Sequence, residues 1–213
     1  MDVTLRQDVA TGRACAHGAR VYLTFDDGPD PEWTPRIMDV LDAYGARATF
    51  FVIGRAAERS GPLLRRLRAS GHEIGNHTYS HHHPWTMSTA RARREVRDGA
   101  ESIAQALGEA PRWFRPPHGR LRHAMADEAQ HGGQRVVLWS LSAIDWGPLG
   151  RVERIAARLD HVDAGDIVLM HDSRNRHNRP EETLRALPAF LGRLRGRGLV
   201  PCLLARPTPE VAW

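Results

Sequence analysis

Apolar and polar positions along the chain follow two periods that alternate. Val21-Tyr22-Leu23-Thr24-Phe25 is a short, β-prone apolar run closed by the turn residues of 26–31, which predicts a strand. Over 33–44 the spacing becomes helical, with Ile37, Val40, Leu41 and Tyr44 on one face and Gly45 as the stop. The exchange then repeats. Further strands are expected over 47–53, 72–75, 112–114, 134–139, 166–170 and 198–203. Helices are expected over 57–70 (with Pro62 in its early part and Gly71 closing it), 124–131, 152–159 and 181–195. Ser88 reads as the N-cap of a long helix that reaches about Leu107, where Gly108 ends it. A polar, His-rich loop occupies 76–85.

Strand and helix in strict alternation imply βαβ units and a parallel sheet. About seven strands suit an α/β fold built as a distorted or incomplete (β/α) barrel, with an open doubly wound sheet as the alternative. No repeat and no low-complexity linker divides the chain, so one domain over 1–213 is expected.

Composition narrows the chemistry. Of 213 residues, 41% are hydrophobic and 26% charged, enough for a core and unlike a disordered chain. No apolar run approaches the roughly 18 residues of a membrane span. The first residues carry Asp2 and Asp8 with no apolar stretch, so neither a secretory signal nor a membrane anchor is expected and the chain reads as cytoplasmic. All 30 basic residues are Arg; the absence of Lys excludes Schiff-base chemistry and a lysine phosphate loop. The net charge of +5 is spread along the chain, and the densest stretch, Arg91-Ala92-Arg93-Arg94, is interrupted at Glu95 and Asp98. It reads as a solvated helix face, and no nucleic-acid partner is expected. Cys15 and Cys202 are too few for a disulfide scaffold and would pair only if the first and last strands are neighbours.

Polar residues gather where such folds place their chemistry, just past the C-terminal ends of strands. Asp26-Asp27-Gly28-Pro29 follows the first strand and His77 to His83 the third. Arg115-Pro116-Pro117-His118-Gly119 follows the fourth, Asp145-Trp146 the fifth and His171-Asp172 the sixth. Asp26-Asp27 alone suits a turn equally well; as a site, one carboxylate binds a cation while its neighbour stays free as a base. Two imidazoles and one carboxylate form a common catalytic zinc set with a position left open. Spacing leaves open which of His81, His82 and His83 would pair with His77. Arg115, stiffened by prolines, suits a carboxylate partner or a rim ion pair. The 173–180 stretch, with Arg174, Arg176, His177 and Arg179, reads either as a groove wall that meets an anionic group or as a solvated loop.

Taken in order, these motifs resemble the polysaccharide deacetylase superfamily, the family 4 carbohydrate esterases typified by the rhizobial chitooligosaccharide deacetylase homology domain. The similarity runs from about Val21 to Leu203. It is carried by Thr24-Phe25-Asp26-Asp27-Gly28-Pro29, His77-Thr78-Tyr79-Ser80-His81 and Leu169-Met170-His171, with support from the 48–54 and 71–76 stretches. The resemblance implies a metal-dependent hydrolase that removes N-acetyl groups from amino-sugar oligo- or polysaccharides, of chitooligosaccharide or peptidoglycan type, and releases acetate. O-acetyl ester hydrolysis on xylan-like polymers and glycan binding without turnover are the alternatives. It implies one divalent ion, zinc with cobalt or nickel as substitutes, on Asp27, His77 and His81. Asp26 would be the base, tuned by Arg115, and His171 the acid, paired with Asp145. Trp146 and Leu169 would wall the acyl pocket. Two positions depart from the family pattern: His118 stands where Tyr is usual, and Ser142 where Asp is frequent. The first changes a sugar-facing side chain, and the second puts local support of the Asp145 loop in question.

Overall fold

The computed structural model describes residues 19–204, so Cys15 and any pairing with Cys202 lie outside the described residues. Eight short strands build one sheet: β1 (Ala19–Asp26), β2 (Ala48–Val52), β3 (Glu73–Asn76), β4 (Trp113–Phe114), β5 (Arg135–Val136), β6 (Leu141–Ser142), β7 (Ile167–His171) and β8 (Leu199–Pro201). Their order is β5-β4-β3-β2-β1-β7-β6, with β8 on the beginning of β1, and every ladder is parallel. The sheet curls into a half-barrel whose two ends, β5 and β6, are successive in sequence. This is the distorted (β/α) barrel that the pattern implies, with one strand more than expected.

Among the described residues seven α-helices lie between the strands: α1 (Trp33–Ala43), α2 (Gly54–Arg59), α3 (Gly61–Ala69), α4 (Thr89–Leu107), α5 (His123–His131), α6 (Val152–Leu159) and α7 (Pro180–Gly196). The Ser88 hydroxyl caps α4 by accepting from the Arg91 N–H, and Gly108 ends it at φ 78°, the left-handed turn that glycine adopts without strain. The single helix expected over 57–70 is two helices. Pro62 has no N–H and its ring opposes a continuing turn, so the chain breaks at Ser60 and α3 starts afresh. In turn, α2 begins early, at Gly54, because the Gly54 and Arg55 N–H groups donate to the carbonyls of Thr78 and Tyr79. No helix among the described residues is long and apolar enough to cross a membrane.

The period of two along β1 sorts its side chains onto two faces. Val21, Leu23 and Phe25 join Phe50, Ile37, Leu41 and Phe190 in the main core between sheet and helices. Phe25 and Phe50 stack at 5.1 Å. Tyr22 turns the other way, into a second cluster with Phe51, Trp113, Val137 and Ile167. Thr24 and Asp26 share the parity of Tyr22, so the last residue of β1 delivers a carboxylate to the concave side.

Two glycines allow α4 to lie close against the end of β3 and the loop behind it. A Cβ on Gly99 would fall 2.5 Å from Asn76 Oδ1 and 2.7 Å from the Thr78 carbonyl carbon. A Cβ on Gly54 would fall 2.8 Å from the Gly99 Cα. Overpacking of this kind costs about 1–3 kcal/mol. Gly99→Ala is therefore expected to lower the thermal unfolding midpoint by a corresponding amount. A midpoint equal to that of the unchanged protein would show that the contact is slack.

Candidate functional site

Strand ends place the polar motifs around one cavity of about 370 Å³. Asp26, Asp27, His77, His81, His118, Trp146, Leu169 and His171 line it, together with Trp139, Asn175, His177 and Asn178. Arg115 and Asp145 do not line the cavity; they stand behind it, fully buried, each holding a residue that does.

Asp26 and Asp27 are adjacent in sequence and differ in company. Arg115 Nη1 donates to Asp26 Oδ1 at 2.8 Å and to Thr24 Oγ1 at 2.8 Å, while Thr24 Oγ1 donates to the Val168 carbonyl. The rest of the guanidinium is also engaged, Nε with the Val137 carbonyl and Nη2 with that of Leu138, over the Phe51 ring at 4.1 Å. That demand explains why β5 stops at Val136 and not near Trp139: the next two carbonyls serve the arginine and not a ladder.

Asp27 turns away at φ 78°. Its Oδ2 accepts from Asn175 Nδ2 at 3.1 Å and Asn178 Nδ2 at 2.7 Å. Its Oδ1 is buried and makes no hydrogen bond with any of the described residues. Opposite Oδ1 stand His81 Nε2 at 3.2 Å and His77 Nε2 at 3.5 Å. Burial pushes the Asp27 carboxyl up, but His81, His171, His77 and the Asn178 bond outweigh it and hold the group at about 2.

The tautomer of His77 follows from its partner. His77 Nδ1 lies 2.7 Å from the Arg115 carbonyl, which can only accept, so Nδ1 carries the proton. Burial, against the pull of Asp26, brings the imidazole down to about 4, so at neutral pH Nε2 is a bare lone pair. A lone pair and an unpartnered carboxylate oxygen face each other with no proton between them. A cation resolves that arrangement. Asp27, His77 and His81 each offer a ligand atom within 4.8 Å of the others, and tetrahedral bonds of about 2.0–2.1 Å set ligand atoms about 3.3 Å apart. The residues present fit a divalent ion. His82 and His83 do not join the set: His82 Nδ1 contacts Ser80 Oγ at 2.6 Å, and the His83 ring accepts from the Trp85 N–H.

The loop that carries His77 and His81 is braced from below. Asn76 Nδ2 donates to the Val96 carbonyl and to Gln134 Oε1, and Asn76 Oδ1 accepts from the Thr78 N–H. Glu95, buried on α4, accepts from the Ser80 N–H and hydroxyl. On the other side, Gly28 is wedged against Asp172; a Cβ there would sit 2.2 Å from Asp172 Oδ2, so only glycine fits. Asp172 is pushed up to about 7 by burial, against the hydrogen bond from Thr34 and with Asp27 and Asp30 adding to the rise.

His171 ends β7. Its Nδ1 meets Asp145 Oδ1 at 2.7 Å, while Asp145 Oδ2 accepts from the His171 N–H at 2.8 Å and the Thr183 hydroxyl at 2.7 Å. Nδ1 is thereby committed and Nε2 is left for the cavity. Burial pulls the imidazole down, but Asp145, by charge and by hydrogen bond, and then Asp27 and Asp26, push it up to about 9. Trp146 packs edge-on against the ring at 5.4 Å. Ser142, in place of an acid, still supports the loop: its hydroxyl accepts from the Ile144 N–H just ahead of Asp145.

His118 stands at φ 56°, edge-on to His81 at 4.8 Å and stacked on His83 at 5.2 Å. Burial and the neighbouring His81 and His83 lower its pKa. Sequence reasoning drew attention to the charges of the 173–180 stretch, yet Arg174 turns outward to Glu181 at 2.8 Å. The side chains from that stretch that reach the cavity are Asn175, His177 and Asn178. His177, which the sequence reading named, is one of them; Asn175, Asn178 and Thr183 were missed. Nothing in an Asn-x-x-Asn or a helical Thr signals such a role before the fold joins them to Asp27 and Asp145.

Comparison with known proteins agrees with this geometry. The polysaccharide deacetylase family model matches residues 13–137. A Bacillus cereus protein named peptidoglycan-N-acetylglucosamine deacetylase is 36% identical over 180 residues, covering 84% of this chain and 83% of its own length. A chitooligosaccharide deacetylase of Sinorhizobium fredii is 35% identical over 188 residues, covering 84% and 87%. Among solved structures, the family 4 carbohydrate esterase from Streptomyces lividans in complex with acetate superposes with a TM-score of 0.80 at 30% identity, covering 90% of this chain and 95% of that one. The match over more than half of the chain, and relatives at this identity along most of their length, show that the chain belongs to the polysaccharide deacetylase family.

Proposed function

We propose that this protein is a metal-dependent N-deacetylase of amino-sugar glycans, of chitooligosaccharide or peptidoglycan type. The observation that carries the reading is the unpartnered Asp27 Oδ1 facing two imidazole nitrogens, one a bare lone pair, in the cavity that also holds Asp26 and His171. The names of the relatives supply the substrate class. Asp27, His77 and His81 hold the ion, with zinc as the first candidate and cobalt or nickel as substitutes. When bound, such an ion supplies Lewis acidity, lowering the pKa of water and polarising the acyl oxygen.

The chain's own residues do the rest. Asp26, fixed by Arg115 on one oxygen, accepts the proton of the attacking water with the other. In this reading the His118 backbone N–H meets the tetrahedral oxygen, where negative charge develops. His171 donates its proton to the departing nitrogen, which leaves as an amine only once protonated. Asp145 keeps His171 protonated at neutral pH and fixes its ring. Leu169 and Trp146 wall the space for the acetyl methyl. Acetate is released, and the sugar retains a free amino group.

Acetate release from N-acetylglucosamine oligomers by chelator-stripped protein should return when zinc or cobalt is added. Release from acetylated xylan alone would replace the N-acetyl reading with an ester one, and release from neither would overturn the hydrolase reading. Asp26→Asn and His171→Ala should each lower kcat by about 10²–10⁴ with folding preserved. Near-normal turnover in both would refute their roles. His77→Ala should lose the ion, and elemental analysis finding unchanged zinc would remove His77 from the ligand set.

The acid role also has a pH signature. An acid held at about 9 works while it is protonated, so kcat should fall as pH rises through that region. Asp145→Asn removes the principal raising influence and should move the alkaline limb to lower pH. A limb that stays in place would mean that another group titrates there.

A further inference from the structure

We propose that Asn175 and Asn178 are positioning residues for Asp27, and that through them the 173–179 strap sets the protein's affinity for its divalent ion. The inference rests on the reading that Asp27, His77 and His81 hold that ion.

The two oxygens of Asp27 have separate company. Oδ2 takes both amide bonds, from Asn175 at 3.1 Å and Asn178 at 2.7 Å, and Oδ1 is left to the imidazoles. An amide nitrogen can only donate, so the pair fixes which oxygen faces inward and removes the rotation that a free carboxylate would have to surrender on binding an ion. The Asn175 amide cannot turn round, because its own Oδ1 already accepts from the His177 and Asn178 N–H groups at 2.7 and 2.8 Å. Asn178 is buried beside it.

The strap is anchored at its far side as well. The Gly147 N–H donates to the His177 carbonyl, the Arg179 N–H donates to the Asp145 carbonyl, and Trp146 bridges Asn178 in antiparallel fashion. The donors are therefore held by the same backbone that carries Asp145 and Trp146. Their neutrality matters too. Arg174, Arg176 and Arg179 are interleaved with them, yet it is amides that reach Asp27. A guanidinium there would neutralise the carboxylate and compete with the cation, whereas an amide orients it and leaves its charge available.

The test is the zinc dissociation constant, measured by competition with a chromophoric chelator, alongside the visible absorption of the cobalt-loaded protein. Loss of a partner that orients a ligand typically weakens metal binding about 10–100-fold, and Asn178→Ala and Asn175→Ala are expected in that range. The metal-free proteins should keep their circular dichroism. Arg176→Ala, an exposed change in the same strap, should leave the constant unaltered. Should Asn178→Ala fail to fold, the exposed Asn175→Ala decides. Folded variants that bind zinc as the unchanged protein does would overturn the proposal, as would an equal loss in Arg176→Ala. Absence of zinc binding in the unchanged protein would instead sink the metal reading itself, and the strap with it.

Discussion

A guanidinium buried without exposure is the constraint on which the rest of this structure is arranged. Removing such a charge from water costs several kcal/mol unless every donor finds a partner. Arg115 satisfies that demand with Asp26, Thr24 and the carbonyls of Val137 and Leu138, while Phe51 packs on its face. Its backbone is used as fully. The Arg115 N–H donates to the Asn76 carbonyl, and its own carbonyl fixes the His77 tautomer. One residue therefore holds a carboxylate from β1, orients an imidazole from the loop after β3, and ends β5. Substituting it would disturb Asp26, His77 and the barrel wall together.

Backbone strain is concentrated in the same region. Asp27, Thr78, His81, His118 and Ile144 are the non-glycine residues with positive φ among those described. Three line the cavity, and the other two adjoin His77 and Asp145. For Thr78 and Ile144, branched at Cβ, this conformation is a true outlier. Such strain persists where surrounding structure over-determines it. Here Asn76 and Glu95 brace one loop and Ser142 braces the other.

Electrostatic roles divide by environment and not by residue type. Asp26 is paired with a permanent cation. Asp27 is oriented by neutral amides and faces bare nitrogen. Asp145 is saturated by His171 and Thr183 and raises its partner's basicity. The neighbouring acids are chemically alike but meet different partners, because the chain leaves the strand between them and reverses the direction of the second.

The alternation of strand and helix was legible because burial imposes a period on each element, and a period survives in one dimension. So were the points where polar residues follow strands, and hence Asp26, Asp27, His77, Arg115, Asp145 and His171 as a group. Turn chemistry was legible at Ser88 and Gly108, where a cap depends on near neighbours. Tertiary structure alone decided the remainder. It started α2 early, at Gly54, on the carbonyls of Thr78 and Tyr79, shortened β5 in favour of Arg115, and brought Asn175, Asn178 and Thr183 to carboxylates far away in the chain. The reason is common to all of these. Each depends on where a donor, a lone pair or a buried charge meets its partner in space, and spacing along the sequence carries no record of that distance.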